Sequence, residues 1–266
     1  MIRFFSIVML ACTLLLPSLV WAGSSQTGGT HLPKDQVAAF SNRVQMDLAA
    51  RGARVAIVAR MGRDPKVLPA GVKYTHVAYW VYSQITKADG SKGRGYHVYN
   101  LYQRADNAAR SDLVQEAPAH YFAGAYALDA GIIIPDARLQ TKLLKTIASS
   151  TYADLHNPTY SVLANPNTNQ FQNCTEHTLN VLMASLYGTR DLGQIKANIA
   201  AHFTPQTIAM GGSKRFLAQL ASKGLVTTDH GRTVRTTTFS SIARFMQQHD
   251  LAQDIYRLTP NRVAAF

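Results

Sequence analysis

YTHVAYWVYSQ, Tyr74 to Gln84, and GYHVYNLYQ, Gly95 to Gln103, decide how this chain is read. Both are dense in aromatic and β-branched residues, which suit a pleated and half-buried surface. Between them ITKADGSKGRG brings Asp89-Gly90 and two further glycines, the chemistry of a hairpin loop. An antiparallel pair is therefore expected. In the first strand His76 is a polar interruption of an apolar, aromatic pattern. In the second, alternation sets Tyr96, Val98, Asn100 and Tyr102 on one face and His97, Tyr99 and Leu101 on the other.

Downstream, FQNCTEHTLNVL (Phe171 to Leu182) marks the start of a helix. Asn173 suits the N-cap, and Glu176 three residues later completes a capping-box pattern. Leu179, Leu182, Met183 and Leu186 give the buried stripe, and Gly188 supplies the stop. Cys174 is then the first helical residue. Unsatisfied backbone N–H groups and the positive helix end favour thiolate there, below the free value of about 8.5. A base is also needed. His177, one turn along, points outward beside Cys174 instead of converging on it, and partial exposure is expected for it. His76 is the better candidate, a strand histidine that can meet a helix N-terminus while a third group holds its other nitrogen. Cys174-x-x-His177 has no second pair of ligand spacing, so neither a metal nor another cofactor is expected.

The first residues, MIRFFSIVMLACTLLLPSLVWAGSSQTGG, combine an early arginine, an apolar stretch and small residues, the pattern of a secretory signal peptide. Cleavage is expected after Ala22. The alternatives are a membrane anchor, opposed by Pro17 and the polar flank, and a lipoprotein on Cys12, whose preceding apolar segment is too short. Cleavage removes Cys12 and leaves Cys174 as a lone thiol in an exported, periplasmic or secreted protein. In that setting a lone thiol suggests either an intermolecular bridge or a reactive group, the alternative being an inert buried cysteine. The chain carries a net charge of +12. That favours anionic envelope partners, wall peptide or lipid, with peripheral membrane contact, while export argues against nucleic acid.

The 266 residues, 47% hydrophobic, suffice for one full core and a small appendage. Lys34 to Ala50 spaces Val37, Phe40, Val44 and Leu48 as an amphipathic helix, and Arg51 to Met61 becomes a strand. Ser111 to Ser150 reads as mostly helical, interrupted near Gly131 to Pro135, with Leu139, Leu143, Leu144 and Ile147 marking its second helix. Asn157 to Asn173 is a long irregular approach that delivers the chain to Cys174. A polar helix is expected over Asp191 to His202. The tail reads as helix, hairpin, helix: GGSKRFLAQLASKG, then LVTTDHGRTVRTTTF turning at Asp229 to Gly231, then SSIARFMQQHD. The expected organisation is a signal peptide over 1–22, a main domain over 23–204 and an accessory C-terminal subdomain over 205–266.

KYTHVAYWVY, GYHVYNLY and the helix opening NCTEHTLNVL together resemble the permuted papain-like hydrolases, relatives of the NlpC-type cell-wall peptidases in which the histidine strand precedes the cysteine helix. Thr75-His76-Val77 and Cys174-Thr175-Glu176 match the family's first and last elements over about Arg51 to Gly188, although Gly52-Ala53 replaces the usual Gly-Asp. The resemblance implies an α+β fold, an antiparallel sheet packed on a cysteine-bearing helix. It implies Cys174 as nucleophile, His76 as proton carrier and Asn100 as the orienting residue, with His97 in reserve. The implied activity is hydrolysis of an envelope amide bond, wall peptide first. The alternatives are lipid or ester acyl chemistry, or a binding module without turnover. More closely, GIIIPDARLQ and YSVLANPNTNQFQNC resemble an uncharacterised family of exported bacterial proteins, which implies no reaction.

Overall fold

Val55–Met61 (β1) is buried at every position, which places it at the middle of a sheet covered on both sides. The computed structural model describes residues 32–86, 89–210 and 224–266. The signal-peptide reading and most of the helix expected in GGSKRFLAQLASKG lie outside them. His76–Thr86 (β2) and Lys92–Gln103 (β3) form the expected hairpin, and β2 also pairs with β1. Ser111–Glu116 (β4), Ala127–Pro135 (β5), Ala252–Leu258 (β8) and Val263–Ala265 (β9) complete a seven-stranded sheet in the order β4-β3-β2-β1-β5-β8-β9. Every pairing is antiparallel. The fold is thus mixed α+β around one large antiparallel sheet.

Helices cover both faces. Lys34–Ala50 (α1) buries Val37, Phe40, Val44 and Leu48 as its spacing dictates, and with Pro118–Ala123 (α2) it packs on the face that carries Ala56, Val58, Ala78, Trp80 and Val98. The opposite face carries Ile57, Val77, Tyr79 and Val81. It lies under Ala137–Ile147 (α3), Thr151–Asp154 (α4), Cys174–Tyr187 (α5), Leu192–His202 (α6) and Phe239–Gln248 (α7).

Three expectations are corrected. Ser111 to Ser150 is not mostly helical: it runs strand β4, short helix α2, strand β5, helix α3. Ile132, Ile133 and Ile134 are all buried, because β5 lies between β1 and β8. A strand covered on both faces loses the alternation that betrays a strand. The hairpin expected to turn at Asp229 to Gly231 does not form; Val234–Thr236 (β7) pairs instead with Gln206–Ile208 (β6). Nor do the described residues of 205–266 stand apart as a subdomain. β8 bonds to β5 in the main sheet, and Phe239, Ile242, Phe245 and Met246 of α7 enter the same core as α5.

Candidate active site

Helix α5 begins and ends as its sequence dictates. The Asn173 side chain accepts the Glu176 backbone N–H at 2.9 Å, and Gly188 closes the helix in the left-handed region at φ 65°, where a side chain would strain the backbone. Only half of the expected capping box forms. The Glu176 carboxylate does not return to the cap. It accepts the Asn180 amide at 3.0 Å and pairs with Lys196 of α6. Lys196 also donates to the Pro166 carbonyl at 3.0 Å and to Asn180 Oδ1 at 3.2 Å. One ammonium therefore ties the asparagine-rich approach, α5 and α6 together.

Cys174 is the first residue of α5, and its thiol is free and buried beside Leu101 and Tyr160. Its seat is where the sheet opens. Pairing of β2 with β3 stops at Tyr79 and Tyr99, while β2 continues along β1 to His76. There Sγ lies 4.0 Å from the Thr75 carbonyl, and the Val77 N–H favours the thiolate. The sulfur thus meets peptide groups on either side of His76. The helix start does not make it a resting thiolate: burial outweighs those donors and pushes the thiol up to about 11. The expected lowering is corrected on this point.

His76 has no solvent exposure. Its parity on β2 turns the ring to the α1/α2 face, where it stacks on Tyr102 at 4.8 Å and meets Tyr121 at 5.5 Å. Neither nitrogen has a hydrogen-bond partner, so no thiol–imidazole bond exists in this state. Burial holds the ring well below the ordinary histidine value, the Arg60 charge lowers it further, and Asn100 opposes both. Asn100 shares the face, as its alternation predicts. Its Nδ2 donates to Glu116 Oε1 at 2.8 Å, the oxygen that also accepts the Tyr102 hydroxyl at 2.7 Å. The amide oxygen has no partner of good geometry. His76 and Asn100 are thus brought together, with Cys174 against the strand that carries His76.

His97 lies elsewhere. It pairs with Val81, five residues along β2 from His76, and bonds Ser83 Oγ at 2.8 Å. His177 is not partly exposed as expected: it is 2% exposed, packs edge-on against Tyr152 at 4.8 Å, and burial lowers it to about 3. A shallow recess of about 270 Å3 opens beside Tyr102, lined by Arg104, Asp106, Asp112 and Val114 among others. No group of histidine, cysteine and carboxylate side chains among the described residues could hold a metal ion. Sequence reasoning missed Arg60, Glu116 and Lys196. A charge at the end of the apolar run VAIVARM was a signal for Arg60. Glu116 was hidden by the helical reading of its segment, and a face-to-face pairing such as Lys196 with Glu176 leaves no local signal.

A family model described as an uncharacterized protein conserved in bacteria (DUF2145) matches residues 47–246. No curated protein and no solved structure matches the chain. The chain belongs to that bacterial family.

Proposed function

With membership of that family as the premise, we propose that this protein is an exported thiol hydrolase of the permuted papain-like kind, cleaving an amide bond of an envelope peptide. One observation carries the reading: the Cys174 sulfur, at the start of a buried helix, rests against the peptide groups flanking His76, whose ring shares its face with Asn100. In the proposed reaction the sulfur attacks the amide carbonyl and its proton passes to His76. The imidazole returns that proton to the leaving nitrogen. The Cys174 backbone N–H helps hold the oxyanion, a contribution of up to about 3 kcal/mol per donor. Water then cleaves the acyl-enzyme. Asn100 orients the ring, and Glu116 fixes the Asn100 amide. The leader-like N-terminus and the net charge of +12 support an anionic envelope substrate, wall peptide before lipid or ester, met with peripheral membrane contact. Turnover requires the sulfur and the ring to leave their resting contacts, as catalytic bonds often tighten only on substrate.

A second reading is favoured by one observation: the thiol and imidazole are both buried and both neutral at rest. The same fold would then serve as an envelope binding module without turnover. Muropeptides, lipid extracts and a thiol-directed acyl probe, presented side by side, separate the readings. The hydrolase reading expects a covalent adduct on Cys174, absent from Cys174→Ser and at least tenfold slower in His76→Ala. An unlabelled folded protein that releases no product from either extract would remove it and leave the binding module.

A further inference from the structure

Arg60, the last residue but one of β1, is only 3% exposed. It donates to the Tyr121 carbonyl and sits 5.1 Å from the Tyr121 ring centre and 5.7 Å from that of Tyr102. Its Nε has no partner, and among the described residues no carboxylate ion-pairs with it. The nearby Glu116 oxygen is occupied by Asn100 and Tyr102 instead. A cation buried without a counter-ion is expensive to keep, and guanidinium cannot shed its proton to escape that cost. Its Cα stands opposite that of His76 in the β1–β2 ladder. Its field reaches both reacting groups, favouring thiolate at Cys174 and opposing a second positive charge on His76.

Resting on the Cys174–His76 reading above, we propose that Arg60 is a positioning residue for that pair, its buried charge, with no carboxylate in direct contact among the described residues, favouring Cys174 as thiolate and His76 as neutral imidazole. The other titratable groups facing Arg60 are Tyr102 from β3 and Tyr121 from α2, both of which also feel Glu116 from β4. Glu176 on the thiol's own helix is held by Lys196. The arrangement helps the thiolate side of the second half of the reaction, while proton uptake by His76 relies on Asn100 against the Arg60 charge. Water bonds to the acyl carbon and gives a proton to neutral His76. The C–S bond breaks, and the departing thiolate is favoured by the buried Arg60 charge already in place. A fixed charge in a water-poor site needs no reorganisation at that moment.

The test is the rate of Cys174 alkylation by iodoacetamide against pH, followed by mass on the Cys174 peptide of the full chain. Arg60→Gln is expected to raise the midpoint by about one pH unit, slowing alkylation about tenfold below it. Arg60→Lys, which keeps the cation, restores most of the rate. The sign is decisive. Loosening of the fold alone would expose the sulfur and lower the midpoint toward the free-thiol value of about 8.5. An unchanged or lowered midpoint overturns the proposal. Should Arg60→Gln fail to fold, Gly124→Ala is the second probe. A Cβ at Gly124 would sit 2.8 Å from both terminal nitrogens of Arg60, pushing the charge aside while leaving it in the chain. A raised midpoint again supports the proposal, and none overturns it. A rise in a protein that no acyl probe labels would sink the hydrolase reading and keep the Arg60 coupling; labelling without a rise would do the reverse.

Discussion

On the face of the sheet covered by α5, His177 is buried against Tyr152 with His156 at 6.2 Å. On the face covered by α1 and α2, His76 is buried against Tyr102 and Tyr121. Neither ring has a hydrogen-bond partner, and burial holds both neutral. Their company differs. His76 has the Asn100 amide, the Arg60 charge and a sulfur against its own strand, whereas His177 has aromatic edges and a second histidine. Desolvation alone quiets an imidazole. A candidate base is set apart by a polar neighbour that can favour its charged form when a proton arrives; for His76 that neighbour is Asn100 on the α1/α2 face, whereas the Arg60 charge opposes it. The α5 face contributes the thiol, which lies at the opening between β2 and β3, 4.0 Å from the Thr75 carbonyl.

The largest expected effect tests the Lys196–Glu176 ion pair, which interrupts the apolar α5 face. Lys196→Met leaves the Glu176 carboxyl, 1% exposed, without its cation. Breaking a buried pair in this way costs about 3 to 5 kcal/mol. Burial already raises the Glu176 pKa with Lys196 in place, and the variant raises it further. The folded state then holds a proton that the unfolded chain releases near pH 4.3, so stability of the variant falls as pH rises above about that value. Urea unfolding at pH 5 and 7 checks this. A loss under about 1 kcal/mol at both pH values would mean that Lys196 is ornamental to the packing.

A smaller effect separates the two histidines by titration. His177 has a folded value of about 3, against about 6.5 unfolded. The unfolded chain therefore binds a proton that the folded one refuses. The stabilising contribution is present above about pH 6.5 and is lost as pH falls toward 3. Between pH 6.5 and 5 the loss is about 2 kcal/mol for this ring. His177→Phe keeps an aromatic edge for Tyr152 and removes the titration, so urea stability should decline less steeply below pH 6.5. An identical decline in the variant would locate the acid sensitivity elsewhere and erase the contrast drawn above.

Much of this was legible in the chain. The β2–β3 hairpin, the faces of β3 and both ends of α5 follow from alternation, turn residues and caps, all local signals. Cys174 at a helix start was legible for the same reason. Its ionisation was not, because burial depends on Leu101 and Tyr160 arriving from distant segments. β5 was misread since a strand covered on both faces loses its alternation. β8 was invisible as a sheet member because the register of Ile133 with Ile255 joins residues far apart in the chain. Arg60, Glu116 and Tyr121 come from three elements, two of them in the misread segment, so the polar surroundings of His76 could not be assembled from spacing.

The smallest expected effect concerns His97, the reserve orienting residue. It bonds Ser83 from the neighbouring strand, well along the hairpin from His76. Its face is that of Tyr99 and Leu101, opposite the one His76 shares with Asn100. His97→Ala should therefore leave the pH profile of Cys174 alkylation in place and cost about 1 kcal/mol of urea stability at most, for the lost part-buried bond to Ser83. Asn100→Ala should differ, because the Glu116 carboxyl loses an amide donor and His76 loses a neighbour that favours its charged form. Equal responses from the two variants would mean that the α1/α2 face has no special hold on the thiol, and the distinction between the faces would reduce to packing.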